Sequence, residues 1–239
     1  MQNAVQVIGY LVGLPLELLI VATLLRGGYR RYPFVFAYVV ADLITTVIEI
    51  RPSLGYGSRS EVMIHQFMWI YWIDERVMQI LMFLVVISLV YLAAQDQRPS
   101  GSGVAGIIGG TLIFTGISFL IHYSPRLYIG QWMTPWTRDL NFAGALLDLG
   151  LWAKLISQPR KDYRLLMVSG ALGIQFTGQA IGQAIRALSH SPTVRFLANI
   201  LLLSMDLIFL YLWYQAFRTE PAPQPRGEPA RAQPAPRET

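Results

Sequence analysis

Hydrophobic residues occur in seven long runs along the chain, separated by short polar segments. A run of about 20 apolar residues is long enough for a helix to cross the hydrocarbon core of a bilayer. The pattern therefore predicts an all-α protein, a polytopic bundle of seven transmembrane helices without a soluble domain. The predicted helices cover residues 5–25, 33–50, 65–94, 104–123, 137–156, 164–186 and 193–216. The fifth and sixth have the weakest apolar signal, because Asp148 and several glutamines interrupt them.

The composition changes abruptly after the last apolar run. Residues 218–239 contain six prolines, mixed charges and no large apolar side chain. Such a segment has nothing with which to form a core, and its prolines favour the extended polyproline II conformation. We therefore expect a transmembrane domain over residues 1–217, followed by a disordered, proline-rich cytoplasmic tail. The tail is either inert or binds a partner through its prolines.

Lysine and arginine are distributed unevenly between the two sets of connecting segments. Cytoplasmic connections of membrane proteins carry an excess of these residues. Twelve lie after the first, third and fifth helices and in the tail: Arg26, Arg30, Arg31, Arg98, Lys154, Arg160, Lys161, Arg164, Arg218, Arg226, Arg231 and Arg237. Six lie on the other side: Arg51, Arg59, Arg126, Arg138, Arg186 and Arg195. We therefore predict that the N-terminus is outside and the C-terminus is cytoplasmic.

The composition excludes several functional classes. Hydrophobic residues make up 54% of the chain and charged residues only 14%, whereas about a quarter of the residues of a soluble domain are charged. A soluble enzyme, a nucleic-acid-binding domain and a disordered protein are therefore excluded. The absence of cysteine excludes thiol nucleophiles, iron–sulfur clusters and cysteine-based zinc sites. We expect the protein to bind no cofactor and no nucleic acid. Its expected partners are the lipid bilayer and a possible protein partner within the membrane.

Three consecutive charged residues, Asp74, Glu75 and Arg76, occur in the third predicted helix. Counting about 20 residues back from its cytoplasmic end near Ala94 places them near the outer membrane boundary. One interpretation is a charged collar whose side chains extend to the interface. The other is the floor of an outward-facing polar pocket. Since three adjacent side chains point in different directions, we infer that this helix is central in the bundle.

The sixth predicted helix carries a polar stripe on one face. It consists of residues at i, i+4, i+8 and i+11: Gln175, Gln179, Gln183 and Arg186. The stripe either forms interhelical hydrogen bonds or lines a cavity that opens outward, and these residues join Asp74, Glu75 and Arg76 as candidates for a ligand pocket. Gly178 and Gly182 on the adjoining face are predicted to let a neighbouring helix approach closely.

Four carboxylates are predicted to lie deeper in the membrane: Glu17, Asp42, Asp148 and Asp206. An ionised and unpaired carboxylate in hydrocarbon costs several kcal/mol. We therefore expect these side chains to face the bundle interior, where they are protonated or paired with polar groups. Intramembrane acids are candidates for proton or cation coupling. The alternative is that they are neutral acids that only hold helices together.

All three histidines, His65, His122 and His190, fall at the predicted outer ends of helices. They could form a metal site or a pH-responsive patch, but histidines without a ligand role are also common at membrane interfaces. The chain has neither an HxxxH nor an HExxH motif. We expect no metal site.

Retinal proteins need a Schiff-base lysine in the last helix, and the last predicted helix has none. The segments RYPFVFAYVVADL (31–43) and FMWIYWIDERVMQILMFLVVISLVYLA (67–93) resemble a large group of uncharacterised bacterial seven-helix integral membrane proteins. This resemblance implies the seven-helix fold and a bacterial cytoplasmic membrane, and it implies no activity.

The residue pattern leaves three functional hypotheses. The first is a membrane-embedded sensing, binding or accessory module that acts through partners, because the sequence has no catalytic signature and its loops are short. The second is an ion-coupled transporter of small solutes that uses the intramembrane carboxylates. The third is an intramembrane enzyme. The sequence disfavours this hypothesis, because it offers no candidate catalytic residue.

Overall fold

The computed structural model describes residues 2–54, 61–95, 101–124, 129–157, 162–188 and 191–218. These residues form α-helices and no strand, in agreement with the predicted all-α class. The seven helices are α1 (Gln2–Thr23), α2 (Pro33–Leu54), α3 (Glu61–Gln95), α4 (Gly101–His122), α5 (Ile129–Ser157), α6 (Tyr163–Leu188) and α7 (Pro192–Arg218). The predicted tail beyond residue 218 lies outside the described residues.

Four helices, α3, α5, α6 and α7, extend beyond both predicted ends, whereas α1 and α4 begin earlier than predicted but end one or two residues before their predicted ends. The largest, α3, has 35 residues and is therefore about 52 Å long at 1.5 Å per residue, whereas a bilayer core is about 30 Å thick. Hydrophobicity marks only the part of a helix that suits lipid, while backbone hydrogen bonding continues into polar flanks. A short π-helical turn, Leu24–Gly28, follows α1. Gly27 in this turn has φ 141°, a conformation that favours glycine.

Within the described residues, five helical stretches are long and apolar enough to cross a membrane: Val7–Gly28, Val77–Ala94, Pro135–Ser157, Tyr163–Gly182 and Pro192–Arg218. Two further apolar stretches, Pro33–Ile48 in α2 and Gly109–His122 in α4, are shorter. The helices with the weakest predicted signal, α5 and α6, are thus among the five. A chain with this many long apolar helices has the architecture of a membrane protein.

Six of the helices form a ring in the order α1, α2, α3, α5, α6 and α7, with α7 closing against α1. The remaining helix, α4, packs on α5 and α3 from outside the ring. The third helix, which was expected to be central, contacts α2, α4, α5 and α6. A hydrogen bond of 2.7 Å from Gln79 Nε2 to Asn141 Oδ1 joins α3 to α5.

One end of the bundle is held by contacts between its connecting segments. Arg31, which precedes α2, forms an ion pair of 3.1 Å with Asp162, which precedes α6. The Arg164 Nε donates a 3.1 Å hydrogen bond to the Ala216 carbonyl near the end of α7. We call this the basic end and the opposite one the far end. The described basic residues at the basic end are Arg26, Arg30, Arg31, Lys154, Arg164 and Arg218.

The apolar core lies in the half of the bundle next to the basic end. We call its fully buried inner part the plug, and it consists of Ile20, Leu24, Val35, Val39, Val85, Val86, Leu89, Val168, Leu172, Phe209, Leu210 and Trp213. The Trp213 ring centroid lies 4.3 Å from that of Phe209. Its Nε1 donates a 3.2 Å hydrogen bond to the Val168 carbonyl, so the indole N–H in this part of the core is satisfied.

Candidate functional site

Four carboxylates on four different helices act electrostatically on the buried hydroxyl of Tyr38 on α2. The negative charges that act on this hydroxyl come from Asp42, Asp206, Glu17 and Asp74, in decreasing order of strength. These residues lie on α2, α7, α1 and α3. We call the four carboxylates and Tyr38 the acidic cluster. The sequence analysis predicts Asp74 near the outer membrane boundary, and its charge is the weakest of the four that act on this hydroxyl.

Glu17 is the most buried carboxylate of the acidic cluster, with 4% of its surface exposed. The Thr46 hydroxyl donates a 3.4 Å hydrogen bond to its Oε1. Its Oε2 is buried and has no hydrogen-bond partner in the described part of the chain. The charge of Asp206 acts on Glu17 across the contact between α1 and α7. Two carboxylates in a poorly solvated space disfavour each other's ionisation.

Gln175 extends the acidic cluster onto α6. Its Nε2 donates a 3.1 Å hydrogen bond to Asp206 Oδ1. Only 3% of this glutamine is exposed, and its Oε1 has no partner among the described residues. Because its amide bonds to Asp206, this oxygen lies beside the cluster. Among the described residues of the site, Glu17 Oε2 and Gln175 Oε1 are thus two buried oxygens without a hydrogen-bond partner, and each can accept from a proton donor or bind a cation.

The fourth predicted deep carboxylate, Asp148, belongs to a different contact. The buried Ser169 hydroxyl donates a 2.7 Å hydrogen bond to Asp148 Oδ1, which joins α6 to α5. Its Oδ2 lies 3.0 Å from the position that a Cβ atom on Gly173 would occupy. Asp148 does not act on Glu17, Tyr38 or Asp206. The structure thus gathers three of the four deep acids and leaves Asp148 as a separate interhelical contact.

The polar stripe of α6 is only partly described. Gln175 is buried and Gln179 is half-buried, while the side chains of Gln183 and Arg186 lie outside the described set. Gly178 and Gly182 face α7, where added Cβ atoms would collide with the side chains of Met205 and Leu202. The predicted close approach of a neighbouring helix is therefore present, and the neighbour is α7. Of the charged run in α3, only Asp74 has a described side chain.

One of the three histidines takes part in a polar contact between α4 and α5. His122 Nε2 lies 3.4 Å from Asp139 Oδ2, and the Ser118 hydroxyl donates a 2.7 Å hydrogen bond to the same oxygen. The side chain of His65 and the whole of His190 lie outside the described residues. Within the described ranges, no group of three histidines and carboxylates could hold a metal ion.

Sequence reasoning did not identify Tyr38, Thr46, Ser169 or Asp139 as members of polar contacts. Tyr38 and Asp42 are four residues apart and share a helix face, a signal that could have indicated the first. The others are an ordinary serine, threonine and aspartate, and no motif distinguishes them. No family model, curated protein or solved structure matches the chain, and the similarity to bacterial seven-helix membrane proteins stays a prediction.

Proposed function

We propose that the protein crosses a bacterial cytoplasmic membrane seven times, with its N-terminus outside, and binds a proton in the acidic cluster. In this proposal it is a membrane-embedded sensing or binding module that acts through a protein partner. The five long apolar helices support the membrane location. In this proposal, the shorter apolar stretches of α2 and α4 also cross the membrane, and the excess of basic residues supports a cytoplasmic basic end.

Reporter fusions test this topology. A reporter that is active only in the cytoplasm should be active after Arg218 and inactive after residue 57. The opposite pair of activities would reverse the orientation, and equal activity at both positions would contradict an odd number of spans.

The charge balance of the acidic cluster carries the proposal of proton binding. The carboxylates of Asp206, Asp42 and Asp74 place negative charge on Glu17 or on the hydroxyl of Tyr38. An ionised carboxylate without a counter-charge costs several kcal/mol inside a membrane protein, so it takes up a proton instead. A proton on Glu17 or Asp206 also adds a hydrogen-bond donor to a site in which Glu17 Oε2 and Gln175 Oε1 have no partner among the described residues.

The dependence of stability on pH tests proton binding. If the folded cluster holds a proton that the unfolded chain has released, folding takes up a proton and stability falls as the pH rises. We expect the thermal unfolding midpoint of the detergent-solubilised protein to decrease as the pH is raised from about 6 to about 8. The slope of this decrease should be smaller in Glu17→Gln. Asp162→Asn is the matched control, because Asp162 is a carboxylate in an ion pair at the basic end. An identical slope in the wild type and Glu17→Gln contradicts the proposal.

A second candidate function is ion-coupled solute transport. It is favoured because the described atoms of the site without a hydrogen-bond partner, Glu17 Oε2 and Gln175 Oε1, are both oxygens. Carboxylate, amide and hydroxyl oxygens are also the ligands of hard cations. Purified protein in vesicles with a sodium or proton gradient should show no ion flux if it is a binding module. Protein-dependent flux would favour transport.

A further inference from the structure

We infer that the acidic cluster exchanges its proton with the far end of the bundle only, because the plug separates it from the basic end. This inference rests on the proposed proton binding and adds its sidedness. With the N-terminus outside, the cluster would respond to the pH outside the cell and would not pass protons through the membrane.

On α1 and α7, the plug begins about one turn from the acidic cluster, on the side of the basic end. On α1, Ile20 follows Glu17 by three residues and Leu24 by seven, so that the plug reaches to about 10 Å from Glu17 along the helix. On α7, Phe209, Leu210 and Trp213 follow Asp206, and all of these plug residues are fully buried. Such packing leaves no room for a file of water.

A proton could also cross along hydrogen-bonded side chains, but the plug provides no such path. Its one side-chain N–H, that of Trp213, donates to a backbone carbonyl. The hydroxyl of Tyr32 lies nearest the basic end and is buried without a partner among the described residues. Burial raises the pKa of this hydroxyl, so it remains neutral at physiological pH. The path is therefore broken on the side of the basic end.

Asp74 provides the contact with the far end. It is half-buried, whereas Glu17 is almost fully buried. It stands 21 residues before the end of α3 at Gln95, and about 31 Å of helix therefore lies between it and the basic end. This distance makes Asp74 the member of the acidic cluster from which the far end is most directly reached.

The groups that face the acidic cluster come from every helix packed around it. The ionisable ones are Glu17 on α1, Tyr38 and Asp42 on α2, Asp74 on α3 and Asp206 on α7. Gln175 on α6 is neutral, and Asp148 on α5 lies at the level of the plug but contacts Ser169 instead. Of the described titratable groups near the cluster, Asp148 lies at the level of the plug, and its hydrogen bond goes to Ser169 rather than to a member of the cluster.

Thiol labelling tests the sidedness, and the native chain has no cysteine to give a background. Vesicles of uniform protein orientation are treated with a small, charged, membrane-impermeant methanethiosulfonate on either side. Asp74→Cys and Thr46→Cys should react only from the far side. Ile20→Cys and Val39→Cys should react from neither side, and Arg26→Cys should react only from the side of the basic end.

Wild-type protein in vesicles with a trapped pH dye gives a second test that needs no variant. We expect no protein-dependent proton flux after a pH jump. Flux through the wild type, labelling of Ile20→Cys or Val39→Cys from the basic side, or unreactive Asp74→Cys in a folded protein would each overturn the inference. The labelling and flux results can be distinguished from the pH dependence of stability, which tests proton binding. A pH-dependent slope with failed labelling contradicts the sidedness alone, and correct labelling with a flat slope contradicts the proton binding.

Discussion

Replacement of Gly178 by alanine should loosen the contact between α6 and α7. A Cβ atom at this position would lie 2.7 Å from Met205 Cβ and 2.6 Å from Met205 Cγ. The Cγ atom can rotate away, but the Cβ atom is fixed to the backbone of α7. The helix itself must therefore move, and the next residue, Asp206, accepts the 3.1 Å hydrogen bond from Gln175.

The magnitude follows from two opposing terms. One extra carbon in a well-packed contact costs about 1–3 kcal/mol, whereas alanine in place of glycine favours a helix by about 1 kcal/mol. Gly150→Ala is the matched control, because it lies in α5 with nothing within 4 Å of its added Cβ. The difference between the two variants cancels the helix term and leaves the packing cost of about 1–3 kcal/mol.

Thermal unfolding in detergent measures this difference. At about 2–4 °C per kcal/mol for a chain of this size, Gly178→Ala should melt about 2–12 °C below Gly150→Ala. Equal melting temperatures of the two folded variants would refute the reasoning, since they would mean that α7 does not pack against Gly178.

Three further perturbations give expected outcomes. Gly27→Ala should destabilise the protein by about 1–2 kcal/mol, because the φ of 141° disfavours a side chain. This holds even though the added Cβ would meet nothing within 4 Å. A melting temperature equal to that of Gly150→Ala would contradict this expectation. Ser169→Ala removes the hydroxyl that donates to buried Asp148, and it should lower stability by about 1–3 kcal/mol in unfolding experiments, whereas an unchanged midpoint would mean that this contact is dispensable. Truncation after Arg218 should leave the melting temperature unchanged, and a large decrease would show that the tail docks onto the helices.

The sequence predicted the helices well because a bilayer demands long apolar runs, and these are visible without knowledge of neighbours. It also predicted the close helix contact at Gly178 and Gly182, since small residues have this consequence wherever they meet another helix. It could not identify α7 as that helix. Periodicity marks which residues share a face but not which helix the face meets.

The same limit explains the partial prediction of the acidic cluster. Glu17, Asp42 and Asp206 were recognised individually, because a carboxylate in an apolar run is costly. Their convergence on Tyr38 depends on the ring order of the helices, which the sequence pattern does not contain. The depth of Asp74 follows from a count along α3 alone, and such a count does not show that its charge acts on Tyr38 of α2.

Infrared spectroscopy of the protein in lipid vesicles at neutral pH tests most directly whether the acidic cluster holds a proton. A protonated carboxylic acid has a carbonyl band that is separate from those of amides and ionised carboxylates. We predict that the wild-type spectrum contains this band, that Glu17→Gln or Asp206→Asn reduces it, and that Asp162→Asn leaves it unchanged. A spectrum without the band, or a band that neither cluster variant reduces, would contradict proton binding at this site.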